Sequence, residues 1–427
     1  MRALNIGQGR TNWWASVVAM LVIAANAAYG TGFRNPPETA AALGRIGGRI
    51  ALTDDASAVI LNPANLVDLD GRNVIASVTI VHAEIEYRGA SGSADTKDPW
   101  KVLPNFFYAA PLADGQYAWG ISLTTPYGQS TEWDQDDFAF TSAYFAELRT
   151  IDIRPTFAVR LGDWLQVGAG LDIMWSDIEF KQLFPWAAVT GNPTSLPGNA
   201  RFEGDGVGIG AGIGVSADFA DNQRLSLVYR SKSKLNYDGD FDVSNVPSPT
   251  SLPGPLGAII SPSSDFDTDI TFPSMVALGY GIAFREDVRL GVDVEWWEFS
   301  TFDDLPIDIS NNNPLLPSRS IPQNWKDTWL AGLGLEWDAT DQWTVRGGYV
   351  FAESPVVRRY LGPPLPDADR HILTVGAGYT LGRHQLDAAL AFSIYDDITI
   401  SNSANPAFNG NYDIDSQLIS LTYGYTF

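Results

Sequence analysis

The sequence predicts an all-β fold, a 14-stranded antiparallel transmembrane β-barrel with a small N-terminal helical hatch plugging the lumen. Three observations predict it. From about residue 73 onward, segments of roughly ten residues alternate apolar and polar side chains, as a strand with one greasy face does. The joints between these segments are alternately very short and long. The last amphipathic segment ends on an aromatic residue, Phe427.

In chain order, residues 1–28 carry Arg2 and Arg10, an apolar run and the small-residue site Ala25-Asn26-Ala27. That is the layout of a signal peptide, with the mature chain expected to begin between Ala28 and Thr31. Residues 29–72 are the one non-β block. Pro36-Pro37 ahead of "ETAAALG" predict a short helix with prolines in its first turn and Gly44 at its end. Asp54 or Asp55 is placed to cap "ASAVILN", and Asn62 closes that helix because Pro63 follows it.

Residues 73–427 are the barrel. In "IDIRPTFAVRL", Ile151, Ile153, Pro155, Phe157, Val159 and Leu161 share one face, opposite Asp152, Arg154, Thr156, Ala158 and Arg160. A soluble sandwich would alternate as well, and the joints separate the two. Short turns fall at residues 113–116, 162–164, 220–223, 285–287, 339–342 and 382–384. Long loops rich in Pro, Gly, Asn and Asp lie between them, near 89–101, 126–146, 182–203, 242–268, 303–325, 353–369 and 397–413. Strict interleaving implies fourteen strands with every tight turn at one end, the habit of barrels in the outer membrane of Gram-negative bacteria. In the last strand Tyr423, Tyr425 and Phe427 share the greasy face and form a candidate insertion signal for barrel-assembly machinery.

Composition narrows the partners. The formal charge of -23 argues against nucleic acid and anionic lipid surfaces. The absence of cysteine removes disulfides and thiolate metal sites. No cofactor or metal is expected, and the acidic run Asp134, Asp136, Asp137 reads as a solvated loop. The glycine run 208–214 lacks the sixth-place glycine of a dinucleotide fingerprint and reads as a strand with a bare inner face. His82, His371 and His384 are scattered and give no nucleophile-base spacing. Fourteen Trp fit a lipid–water interface. The expected setting for such a barrel is outer-membrane lipid and lipopolysaccharide around a monomer.

A barrel this wide is open unless something fills it. The stretch from Gly30 to Leu66 resembles the N-terminal hatch of the FadL-type outer-membrane transporters for long-chain fatty acids and aromatic hydrocarbons. The likeness rests on Gly32-Phe33, the Asp54–Ser57 run and the Asn62-Pro63-Ala64 triplet. Further shared features are "PNFFYAAPL" (104–112), "TTPYG" followed by "TEW" (124–133), "VGAGLDI" (167–173) and "PDADRH" (366–371). The resemblance implies capture of a hydrophobic ligand (fatty acid, detergent or hydrocarbon) in an outer groove. Transfer to an inner pocket near the N-terminus and release through a side opening at a kink in the third strand, "YAWGISLTTPYG", would follow.

From the residues, the outer groove is expected on the loops carrying Leu183, Phe184, Trp186 and Leu196, and Leu252, Leu256, Ile259 and Ile260, because clustered exposed apolar side chains mark binding surfaces. Gly32 and Phe33 are the expected movable element. Arg154, Arg160 and Arg346 are candidate partners for a ligand carboxylate, each weighed against an internal salt bridge. If no free cation reaches the pocket, a neutral hydrocarbon is the better substrate. A general porin for polar solutes is the competing reading, disfavoured by an occluding hatch, and an adhesive barrel is the third.

Overall fold

A computed structural model describes residues 32–90, 92–248, 261–310 and 319–427; residues 1–28, expected from the sequence to be a signal peptide, fall outside these. The strands close into one antiparallel barrel. Asn73–Gly89 pairs on one side with Trp100–Leu112 and on the other with the final strand, Gly410–Thr426, so that no sheet edge is left. Neighbours in sequence are neighbours in the wall throughout.

The alternation read from the sequence is the one observed. In the fourth strand, Ala143–Arg160, Ile153 and Phe157 face outward while Asp152 and Arg154 are buried in the lumen. Exposed Tyr117, Trp164, Phe219, Phe284 and Trp343 stand beside the short turns, and Trp100, Trp175 and Trp329 stand toward the other end. These are the two aromatic girdles expected at the faces of a bilayer.

Residues 32–72 lie inside this wall and are almost entirely buried. Thr39, not a proline turn, starts the first helix, Ala40–Gly44, by accepting the Ala42 amide on its hydroxyl; the two prolines precede the helix instead of filling its first turn. The second helix, Ala58–Leu61, ends at Asn62 as expected, since that residue is extended ahead of Pro63. Its expected caps act differently. Asp55 accepts the Ser57 amide at 2.8 Å just before the helix, whereas Asp54 turns away to Arg45 and Arg289.

The triplet Asn62-Pro63-Ala64 opens a 3-10 turn, Pro63–Asp68, that sits on the bare inner face of the glycine strand Gly198–Ala220. A Cβ added at Gly214 would stand 2.3 Å from Asn62 Oδ1, and one at Gly168 2.4 Å from the Pro63 carbonyl carbon, so those positions must lack side chains for the turn to seat. The Asn62 amide then reaches Ser216 Oγ at 2.9 Å and the Ile50 carbonyl at 3.1 Å.

Two ion-pair clusters fix the segment to opposite parts of the wall. Asp68 receives Arg160 and Arg224, and Arg224 also binds Asp218. Arg45 and Asp54 join Arg289, Glu336, Arg346 and Asp387. Burial pushes the Asp54 carboxyl upward, but Arg45 and Arg289 outweigh it and hold its pKa at about 2, below the ordinary 3.8. A carboxyl depressed on folding stabilises the fold above its unfolded pKa and loses that contribution as pH falls through its folded pKa. Asp54→Asn is therefore expected to lower the melting temperature at pH 7 and at pH 5. The difference from the unsubstituted protein should shrink between about pH 4 and pH 2, read by thermal melts across that range.

Candidate functional site

The third strand is where the wall departs from regularity. Its inner part, Tyr117–Thr124, pairs with the second strand up to Phe106↔Leu123. Its outer part, Gly128–Glu132, forms its ladder with the fourth strand and meets the other side at the Lys97–Glu132 bridge. Between them Thr125, Pro126 and Tyr127 leave the ladder. Proline supplies no donor there, and the freed backbone groups bond inward to the N-terminal segment. The Asn35 amide donates to the Pro126 carbonyl at 2.9 Å, the Gly128 amide to the Phe33 carbonyl at 2.9 Å, and the Asn35 side-chain amide to the Thr125 carbonyl at 2.7 Å.

A gap in the ladder results between the second and third strands. It is bounded on one side by Phe106↔Leu123 and on the other by the Lys97–Glu132 bridge. One side chain spans it: Asn105 accepts the Thr125 amide at 3.1 Å and donates to the Glu38 carbonyl at 3.2 Å. The resemblance placed a kink in the strand "YAWGISLTTPYG" but gave no position for it along that strand.

Phe33, next to this bend, is enclosed by aromatic rings. Trp325 stacks on it at 5.0 Å between centroids, and Phe272, Phe302, Phe299 and Tyr127 meet it edge-on at 5.3, 5.5, 5.7 and 6.0 Å. Each such pair contributes about 0.5–1.5 kcal/mol beyond area burial, so the ring is firmly seated. Gly32 precedes it with φ +59, and its amide donates to Asp367 Oδ2 at 3.0 Å. Asp367 also takes Arg370 and Ser354, each at 3.0 Å. Burial raises the Asp367 carboxyl, opposed by Arg370 and the Gly32 amide. The "PDADRH" loop thus holds the start of the described chain.

Phe33 forms part of the floor of an apolar cavity of about 500 Å³ in the lumen. Its walls include Phe180, Phe202, Phe266, Ile270 and Leu305, and its rim includes Phe140 and Phe408 from two outer loops. The sequence missed these residues. The available signal was inward-facing aromatics in strands whose lumen side is elsewhere polar or small.

The residues expected to form the outer groove are placed otherwise. Phe184 and Trp186 are buried and pack on each other at 4.7 Å, with the indole N–H on the Ser244 carbonyl. Leu183 is half-buried and Leu196 exposed, and none of the four lines the cavity. Loop-on-loop packing has consumed the apolar surface of Phe184 and Trp186. Leu252, Leu256, Ile259 and Ile260 lie outside the described residues.

The candidate cations are all engaged: Arg154 with Asp172, Arg160 with Asp68 at 2.7 Å, and Arg346 with Glu336 and Asp387. Tyr423 and Tyr425 sit at the periplasmic end of the final strand beside Phe427, and Tyr423 bonds His384 at 2.8 Å.

Residues 21–427 match the family model described as outer membrane protein transport protein (OMPP1/FadL/TodX). The chain belongs to this family. It is accordingly an outer-membrane protein of a transport family. Members of the OMPP1/FadL/TodX family among its relatives include the long-chain fatty acid transport proteins of Salmonella typhi and of Escherichia coli strain K12. Each is 24% identical and aligned over 97% of both chains. Among solved structures, a Pseudomonas aeruginosa FadL homologue superposes with TM-score 0.80 at 22% identity, covering 93% of this chain and 100% of that one. The Pseudomonas putida toluene transporter TodX gives 0.71 at 18% identity, covering 93% and 100%. These likenesses establish the barrel fold shared across the OMPP1/FadL/TodX family.

Proposed function

We propose that this protein takes up hydrophobic compounds across the outer membrane, by capture among the outer loops, transfer to the lumen cavity and release through the gap beside the third strand. Residues 29–72 act as the hatch, residues 1–28 as a signal peptide. The protein works as a monomer in lipid and lipopolysaccharide after assembly by barrel-inserting machinery, with no catalytic step. Relatives named for long-chain fatty acids and for toluene support this substrate range.

The observation that carries the reading is the shared backbone of floor and gap: Phe33 closes the apolar cavity, and Phe33 and Asn35 bond directly to the bend that opens the wall. A long-chain ligand with some fifteen methylenes gains on the order of 12 kcal/mol on leaving water, which favours capture and slows release. Release requires a second state with weaker affinity, and the ligand selects between states only by contacting them differently. Displacement of Phe33 by ligand would break the bonds to Pro126 and Gly128 and so couple filling to opening.

The test is a pair of measurements on the intact protein. In planar bilayers it should carry no large steady ion current, while cells producing it take up labelled oleate or toluene. Phe33→Ala should reduce uptake at least tenfold while the barrel remains folded. A large open-pore current with no uptake would establish the porin reading instead.

A further inference from the structure

The strongest unassigned feature is the electrostatic character of the cavity. Its lining contains no Lys, Arg or His among the described residues, and its one carboxylate, Glu147, has Arg149 at 3.5 Å.

Deeper in the lumen the charges do not reverse this. Below Phe33, Arg34 and Arg49 both bind Glu295. Arg154 binds Asp172, and Arg230 donates to the Ile60 carbonyl at 3.2 Å while facing Asp152 and Asp172. With Glu38 and Asp293 included, four arginines face five carboxylates in this layer. A ligand carboxylate pushed past Phe33 would meet arginines that already face carboxylates of the wall. Asp152 is fully buried, and neither of its oxygens has a hydrogen-bond partner among the described residues.

We infer that the ligand of this cavity is electrically neutral, an uncharged hydrocarbon or a long-chain molecule with a neutral polar end, and that ionised carboxylates are selected against. The inference rests on the uptake reading above and narrows its substrate class. The physical reason is desolvation. An ionised carboxylate carried into an apolar enclosure without a donor or counter-ion loses its hydration with nothing in return, whereas an alkyl or aryl group loses nothing. The chain's net charge of -23 acts in the same sense by lowering the local concentration of anions at the mouth.

The test uses two probes that share a chain and differ only in the head, 1-dodecanol and dodecanoate. Binding to the full protein in lipid nanodiscs is measured at pH 8 and corrected for partition into protein-free discs. Dodecanol is expected to bind at least tenfold more tightly. Gln182→Arg, which puts a guanidinium on the cavity wall, should raise dodecanoate affinity at least tenfold and change dodecanol affinity less than threefold. Equal or tighter binding of dodecanoate to the unsubstituted protein would overturn the inference, as would a selective loss of dodecanoate binding in Arg230→Gln, since that would reveal a working carboxylate site. Binding of neither probe would overturn the capture reading itself, a result distinct from a wrong choice of head group.

Discussion

Joining the two sides of the wall gap is expected to abolish uptake while leaving capture intact. The side chain of Asn105 already meets the backbone of Thr125, and the protein contains no cysteine, so Asn105→Cys combined with Thr125→Cys introduces a single possible disulfide. Once oxidised, and confirmed by mass spectrometry, it holds the second strand to the bend of the third. Uptake of a labelled hydrophobic ligand should fall by at least tenfold, ligand binding should change less than twofold, and reduction should restore transport. Unimpaired uptake through the cross-linked protein would place the exit elsewhere and sink the lateral route.

The second large effect concerns Glu336. Its carboxylate, 1% exposed, receives Arg45, Arg289 and Arg346 together. Glu336→Gln removes the one negative charge all three share and leaves buried guanidinium groups facing a neutral amide. Stripping one partner from a buried ion pair costs about 3–5 kcal/mol. The variant should therefore melt at a clearly lower temperature and show earlier loss of the heat-resistant folded band on gels. Asp338 is the internal control. It lies at the edge of the same cluster, 37% exposed and 3.5 Å from Arg289, where an ion pair contributes about 0–1 kcal/mol. Asp338→Asn should be near neutral. Equal losses in both variants would mean that the cluster is held by general surface charge and not by Glu336.

Strand number, strand faces and the end bearing the tight turns were legible because each depends on a local rule. Alternation needs only neighbours two residues apart, and Ile153 and Phe157 point outward for the same reason in any barrel. The stop at Asn62-Pro63 and the bare inner face of the glycine strand were equally legible, since proline geometry and the lack of a side chain act on the spot. The site was legible only in part. Gly32, Phe33 and the region of Pro126 were singled out, but the groove was sought in Phe184 and Trp186, whose apolar character satisfies each other.

What the sequence by itself determined is a closed greasy wall with a compact N-terminal block and an acidic surface. Which residues meet across the lumen was decided by tertiary structure alone. Phe33 finds its enclosure at positions 127, 272, 299, 302 and 325, and Arg45 finds Glu336 from 291 residues away. No periodicity encodes such pairs, because they depend on the register at which fourteen strands close and on how deep the N-terminal block sits. Whether an arginine is free for a ligand or bound to an aspartate follows from those distances, since burial in a low-dielectric interior penalises any charge whose partner is out of reach.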